Sequence, residues 1–332
     1  MEAPQRPHVH VLTLGGTIAM HDDGAGATPT LDADALLGGV PLRDVAVTGE
    51  AFRQVPSGAL TLTDLIALAG RVHEVLDEGV DGVVVSQGTD TLAEAAFALD
   101  LLLDVEAPVV FTGAMRHPSL LSPDGPGNLA AAIRAAAAPA CRGLGVLAAL
   151  NDELHAARHV RKTSTVSTAA FTSPATGPLG WVVEGAVHLH TRPTAATPTY
   201  RPGPTPPPVA LLPVALGDDL RLVEAVADAG YHAVVVEAFG AGHTPPGVVA
   251  RLAAVHRRTP VVFASQVGAG PTLTRTYGYP GSERDLRAHG LIGAGWLDGP
   301  KARVLATLVL GDTSLSADAA ALADAFTGFG GG

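Results

Sequence analysis

Two threonines stand where apolar runs end in glycine. Thr17 lies in Leu14-Gly15-Gly16-Thr17-Ile18-Ala19, and Thr89 in Gln87-Gly88-Thr89-Asp90-Thr91. Each follows a run that reads as a buried strand, 8–14 before the first and 82–86 before the second. Glycine lets the backbone turn sharply there and leaves a small hydroxyl at the carboxyl end of the strand, where open α/β sheets hold their ligands. A hydroxyl is a poor nucleophile until a base or a polarising neighbour activates it. Asp90 adjoins Thr89 in sequence, and Lys162 is a candidate neighbour from further along. Two threonines, a carboxylate and a lysine point to hydrolysis.

Composition singles out Lys162. It and Lys301 are the only lysines among 21 basic residues, so the chain uses arginine wherever either cation serves. Lys162 directly follows Arg161. Lysine can change its protonation state when buried and arginine does not, which suits proton transfer. The competing reading is a chance surface lysine. Gly15-Gly16 similarly admits a tight strand-to-loop turn or part of a phosphate-binding fingerprint. Thr91 and Glu94 have capping-box spacing, with Asp90 or Thr91 as N-cap, which accounts for those residues but not for Gln87-Gly88-Thr89. A helix starting there would also aim backbone N–H groups at a carboxylate or a developing oxyanion. His155 and His159 are four apart and could share a helix face. With no H-E-x-x-H spacing and no carboxylate ligand beside them, no metal is assigned.

The elements that must hold these residues follow from periodicity. Strand-like runs at 8–14, 82–86, 108–112 and 144–150 alternate with helices at about 63–77, 91–103 and 127–138. The first helix carries an apolar stripe of Leu65, Ile66, Leu68, Ala69, Val72, Val75 and Leu76; Thr61 to Asp64 supplies a capping signal and Gly79 a stop. Nearly continuous Val/Leu strands suit a parallel sheet covered on both faces. The prolines between 193 and 208 favour an extended connection. Beyond it, strands at 209–214, 232–238 and 260–265 alternate with helices at 218–229, 245–257 and 300–310. The expected fold is α/β. A larger N-terminal doubly wound parallel-sheet domain (1–188) is followed by a Pro-rich linker (189–208) and a smaller C-terminal α/β domain (209–332).

At 332 residues the chain can bury a large core. No apolar run reaches the ~18–20 residues of a membrane span. The first strand begins near residue 8, which leaves no room for a leader, so a cytoplasmic protein is expected. The single cysteine, Cys141, excludes an internal disulfide and makes a cysteine-based metal site improbable. A net charge of −11 argues against nucleic acid as the main partner.

An ordered series of motifs resembles the bacterial-type L-asparaginases, the two-domain asparaginase/glutaminase family, over essentially the whole chain. Gly15-Gly16-Thr17-Ile18-Ala19 is similar to the first signature, and Gly88-Thr89-Asp90-Thr91 with Glu94 to the second. Then come Thr112-Gly113-Ala114-Met115-Arg116, Asp124-Gly125-Pro126 with Asn128-Leu129, Lys162-Thr163 and Gly177-Pro178-Leu179-Gly180. Glu283 lies upstream of Lys301-Ala302-Arg303-Val304-Leu305. The resemblance implies hydrolysis of L-asparagine to L-aspartate and ammonia through a threonine acyl-enzyme, without cofactor or metal. Thr17 would be the nucleophile, with Thr89, Asp90 and Lys162 as a second triad supporting proton transfer. Ser57 and the Gly88-Thr89 backbone would receive the substrate α-carboxylate, and Asp90 and Glu283 its α-ammonium; Gly16 and Ala114 complete the substrate-binding set. Glu283 would reach the site of a neighbouring subunit, which implies a homodimer or homotetramer.

The chain departs from the family pattern in several places. No tyrosine stands in 20–31, the loop after the nucleophile, which holds Thr28 and Thr30 instead. Tyr277 or Tyr279 could supply a phenol from the other side, or only pack against the Gly278–Gly281 turn. Gly58 stands where glutamine is common, Gln87 where histidine is common, and Gly240-Ala241-Gly242-His243 where an asparagine-bearing turn is usual. The alternatives are a glutaminase-asparaginase, an amidase for larger amides, or, in another class, an asparagine or aspartate sensor without turnover.

Overall fold

The computed structural model describes residues 6–16, 18, 20–22, 27–29, 38, 42, 44–193 and 197–331. It divides into two units, Met1–Thr199 and Tyr200–Gly332. In the first, β1 (His8–Thr13) lies between β4 (Ala46–Ala51) and β5 (Gly82–Ser86), parallel to both. The parallel series continues through β6 (Val109–Thr112) to β7 (Val146–Leu150). From β1 the chain goes to one side for β4 and to the other for β5. The carboxyl ends of β1 and β5 therefore form a topological switch point, where such sheets leave a crevice. A short hairpin, β2 (Met20–Asp22) with β3 (Ala27–Pro29), follows β1.

The sheet does not stay parallel. β8 (Glu153–Ala156), β11 (Gly180–Val183) and β12 (Ala186–Leu189) extend it antiparallel, giving eight strands in the order β12-β11-β8-β7-β6-β5-β1-β4. Two tight turns decide this. Asn151 and Asp152 both have positive φ (52° and 62°), as do Glu184 and Gly185 (52° and 78°). That backbone makes two-residue hairpins, and a two-residue link can join only antiparallel strands. A separate pair, β9 (Arg161–Lys162) and β10 (Phe171–Thr172), is also antiparallel.

Helices cover both faces. α3 (Gly125–Ala137) buries Leu129, Ala132 and Ile133 against Val9, Val11, Val84, Val110, Leu147 and Ala149. Side chains alternate across a strand, so Leu12, Val83, Val85 and Phe111 point to the opposite face. There α1 (Leu62–Asp77) and α2 (Leu92–Leu102) pack on each other and on the sheet. The α1 cap forms as the sequence predicts: Asp64 N–H donates to Thr61 Oγ1 at 3.2 Å, and Thr61 N–H donates to Asp64 Oδ2 at 3.0 Å.

In the second unit, β13 (Val209–Pro213), β14 (Ala233–Ala238), β15 (Val261–Ser265) and β16 (Ile292–Gly293) form a parallel sheet in chain order. α4 (Leu222–Asp228), α5 (Val249–His256) and α6 (Glu283–Ala288) bury Val223, Leu252, Val255 and Leu286 against Val234, Val236, Val261 and Phe263. α7 (Gly299–Gly311) also packs on this sheet, and α8 (Ala319–Thr327) packs on α7. Within 189–208, Pro202 already bridges to Asp312 of the second unit.

Candidate functional site

Thr17 lies outside the described residues, and its immediate predecessor carries the local geometry. Gly16 has φ +85°, and a Cβ there would lie 2.0 Å from the Gly88 nitrogen. Gly88 in turn leaves room for Ser57, whose Oγ would be 2.9 Å from a Cβ at position 88. The loops after β1 and β5 thus touch backbone to backbone, which only glycine permits. Both glycines take positive φ, and the chain bends at Gly16. A second tie runs beside it: Leu14 N–H donates to Ser86 O at 2.8 Å.

Lys162 joins the second threonine to its carboxylate. Its Nζ donates to Thr89 Oγ1 at 2.9 Å and to Asp90 Oδ1 at 2.8 Å, across 73 and 72 residues of chain. β9 aims it there by pairing Lys162 with Phe171 of β10. Thr89 is only 6% exposed, the Lys162 side chain 21% and the Asp90 side chain 78%. Lys162 is thus a held cation and not a free surface lysine. A hydroxyl that accepts from an ammonium group keeps its own proton free for a second partner.

Ser57 is buried at the start of a single 3₁₀ turn, Ser57–Ala59. Its Oγ accepts from Asp90 N–H at 3.3 Å, and its carbonyl accepts from Thr91 Oγ1 at 2.9 Å. The capping expectation for Thr91 fails for this reason. Thr91 is the N-cap of α2, yet its hydroxyl makes no cap bond and instead holds the Ser57 turn. Tertiary contact has taken the side chain that local chemistry would have used. Gln87 is fully buried and its Nε2 lies 3.3 Å from both Gly88 O and Thr91 Oγ1. Among the described residues, nothing accepts from the Gly88 or Thr89 backbone N–H.

Asp124 and Asn128, motif residues without an expected role, organise the Ala114 loop. Asp124 accepts from Met115 N–H (3.0 Å to Oδ2) and Arg116 N–H (2.8 Å to Oδ1). Asn128 Nδ2 donates to Gly113 O at 2.9 Å, and its Oδ1 accepts from Asn151 N–H at 2.9 Å. Ala114 itself is fully buried. A carboxylate and an amide one helical turn apart beside a glycine-rich strand end were the signal for this role.

Glu283 sits in the second unit and is fully buried. Its Oε1 accepts from Thr276 N–H and Tyr277 N–H, each at 2.7 Å, and its Oε2 lies 3.2 Å from His243 Nε2. Burial pushes its carboxyl upward, but hydrogen bonds from Tyr277, its own backbone, Thr276 and His243 outweigh that and hold it below the usual range. The Tyr279 hydroxyl lies 2.9 Å from His243 Nδ1, and the Tyr277 ring stands edge-on to the same imidazole. Of the loop 20–31, only backbone pairing at 20–22 and 27–29 is described.

His155 and His159 share no helix face. His155 is a strand residue in β8, buried, with Nδ1 3.0 Å from Ser173 Oγ, and His159 sits in the following turn. Burial lowers the His155 pKa despite Glu153 nearby. Among the described residues no three His, Cys, Asp or Glu side chains cluster as a metal site. None of the described helices is long and apolar enough to cross a membrane.

Two family models match in order. One described as "Asparaginase, N-terminal" covers residues 8–195, and one described as "Glutaminase/Asparaginase C-terminal domain" covers 208–326. The chain is similar to a "Probable L-asparaginase" of Deinococcus radiodurans, 37% identical, with 92% of this chain and 93% of the relative aligned. It is 35% identical to a "Glutaminase-asparaginase" of Pseudomonas aeruginosa, over 94% of this chain and 89% of the relative. A Haemophilus influenzae relative, 33% identical over 94% and 90%, is named "Probable L-asparaginase periplasmic". With both halves matched in order and relatives above 30% identity along nearly its whole length, the chain belongs to the asparaginase/glutaminase family.

Proposed function

We propose that this chain hydrolyses the side-chain amide of L-asparagine to L-aspartate and ammonia. The observation that carries the reading is Lys162 Nζ bridging Thr89 and Asp90 beside the Gly16–Gly88 contact, at the switch point of the first unit's sheet, in a chain of this family. Thr17 attacks the amide carbon, and its proton passes to the departing nitrogen. The C–N bond breaks, ammonia leaves, and a β-aspartyl ester remains on Thr17. Water then adds to the ester carbon and returns the threonine. The Thr89 hydroxyl, accepting from Lys162, has its own proton available to the reacting groups, and Asp90 balances the ammonium charge. Ser57 and the Gly88-Thr89 N–H groups receive the substrate α-carboxylate, with Gly16 and Ala114 lining the site. Asp90 and Glu283 receive the α-ammonium. Glu283 comes from a second copy of the chain, so the active species is a homo-oligomer. Relatives named glutaminase-asparaginase favour L-glutamine as a second substrate.

The test is ammonia release from asparagine, glutamine and larger amides, with Thr17→Ala alongside. Asparagine turnover that falls more than about a thousandfold in Thr17→Ala is expected. Retention of about a tenth of kcat would move the nucleophile elsewhere. Asparagine binding without ammonia release would make the chain a sensor.

A further inference from the structure

The two oxygens of Glu283 are held differently. Oε1 accepts from both the Thr276 and Tyr277 backbone, whereas Oε2 lies 3.2 Å from His243 Nε2. A carboxylate can only accept, so His243 Nε2 carries the proton and Nδ1 accepts from the Tyr279 hydroxyl. This string fixes the imidazole tautomer. The ring stands edge-on to Tyr277 (centroids 5.0 Å, 85°) and Tyr279 (5.5 Å, 71°). Its backbone is pinned as well: Gly242 has φ +104°, and a Cβ there would lie 2.9 Å from Phe263 Cε2. The histidine is built in.

We infer that His243 is a positioning residue for substrate recognition: it orients Glu283 Oε2 toward the α-ammonium and weakens that grip when it becomes protonated. The inference rests on the reading that Glu283 binds the α-ammonium. An imidazolium 3.2 Å from Oε2 competes with the substrate cation for one carboxylate. The other groups facing this string are Tyr277 and Tyr279 on the preceding loop. From α6 come Arg284, whose Nη1 reaches within 3.7 Å of a Cβ position on Gly278, and Arg287, stacked 5.4 Å over Phe263. Asp285 faces the same loop through Gly281 N–H at 2.8 Å and pairs with His289. The arginines keep their charge as pH falls, and the Asp285 carboxylate is taken up by Gly281 N–H and His289. His243 is therefore the imidazole in direct contact with Oε2.

The experiment measures kcat and KM from about pH 8 to about pH 5 for L-asparagine and for 3-carbamoylpropanoate, the same amide without the α-amine. Wild type, His243→Asn, His243→Ala and Glu283→Gln are compared. In wild type, KM for asparagine is expected to rise about tenfold toward acid, with a smaller change in kcat. His243→Ala raises asparagine KM about tenfold at alkaline pH, and His243→Asn, which keeps an N–H donor, recovers part of that loss with a KM flat in pH. For the amine-free amide, variant and wild-type KM stay within about twofold. The inference is overturned if His243 variants shift both substrates alike, or if His243→Asn keeps the wild-type pH dependence. An unchanged asparagine KM in Glu283→Gln would instead overturn the role given to Glu283 itself.

Discussion

At the scale of single residues, the Thr89–Asp90–Lys162 cluster depends on one nitrogen serving two oxygens. Lys162 Nζ reaches Thr89 Oγ1 and Asp90 Oδ1 within 0.1 Å of the same length. A guanidinium spreads its donors over a rigid fork and does not give up its proton at working pH. Lys162→Arg is therefore expected to lower kcat at least about a hundredfold while KM moves much less. Steady-state kinetics check this, and a near-normal kcat would reduce Lys162 to a positive charge. The buried carboxylate of Glu283 adds a stability effect. Its pKa is depressed in the folded state, so its stabilising contribution is present above the unfolded carboxyl pKa and is lost as pH falls through the folded value. Glu283→Gln should accordingly flatten the acid side of the chain's pH–stability curve, measured by urea unfolding at a series of acid pH values.

At the scale of elements, the site is a junction of strand ends. Gly16→Ala would force a Cβ into the Gly88 backbone and hold alanine at φ +85°, so a loss of about 3 kcal/mol or more is expected. Gly58, with nothing within 4 Å of a Cβ, is the control: Gly58→Ala should stay within about 0.5 kcal/mol. Comparable unfolding midpoints for the two variants would mean that the loops can separate cheaply. Asn128→Ala removes the amide that ties the Gly113 carbonyl to the turn after β7, and takes its side-chain donor from the buried Gly113 carbonyl. It should cost about 2 kcal/mol and lower kcat through displacement of the Ala114 loop.

At the scale of the whole molecule, the proposal of a shared site makes a complementation test. Thr17→Ala and Glu283→Ala each damage a different contribution to one site. Chains of the two variants, unfolded together and refolded as a mixture, should recover about a quarter of wild-type activity if Glu283 serves a neighbouring copy. In a random mixture of dimers, half are mixed, and each mixed dimer has one intact site of two. If Glu283 served its own chain, every site would carry a lesion and mixing would restore nothing.

The order of motifs, the main parallel strands and the capped α1 helix were all legible in the sequence, because each depends on neighbours a few residues apart. Thr61 and Asp64 find each other within one turn, and the Val/Leu runs at 82–86 and 146–150 bury themselves whichever way they pair. Even the family could be recognised from such local signatures. The antiparallel extension of the first sheet was not foreseen: β8, β11 and β12 have only four residues each, too few for a period, and the Asn151-Asp152 and Glu184-Gly185 turns lack the usual Asn-Gly form. Thr91 has the spacing of a cap, yet a contact 34 residues away takes its hydroxyl. Lys162 meets Thr89 and Asp90 across more than seventy residues, and His243 meets Glu283 across forty. Local sequence specified which groups were available for chemistry, but which oxygen each nitrogen faces was decided only when packing closed those long loops.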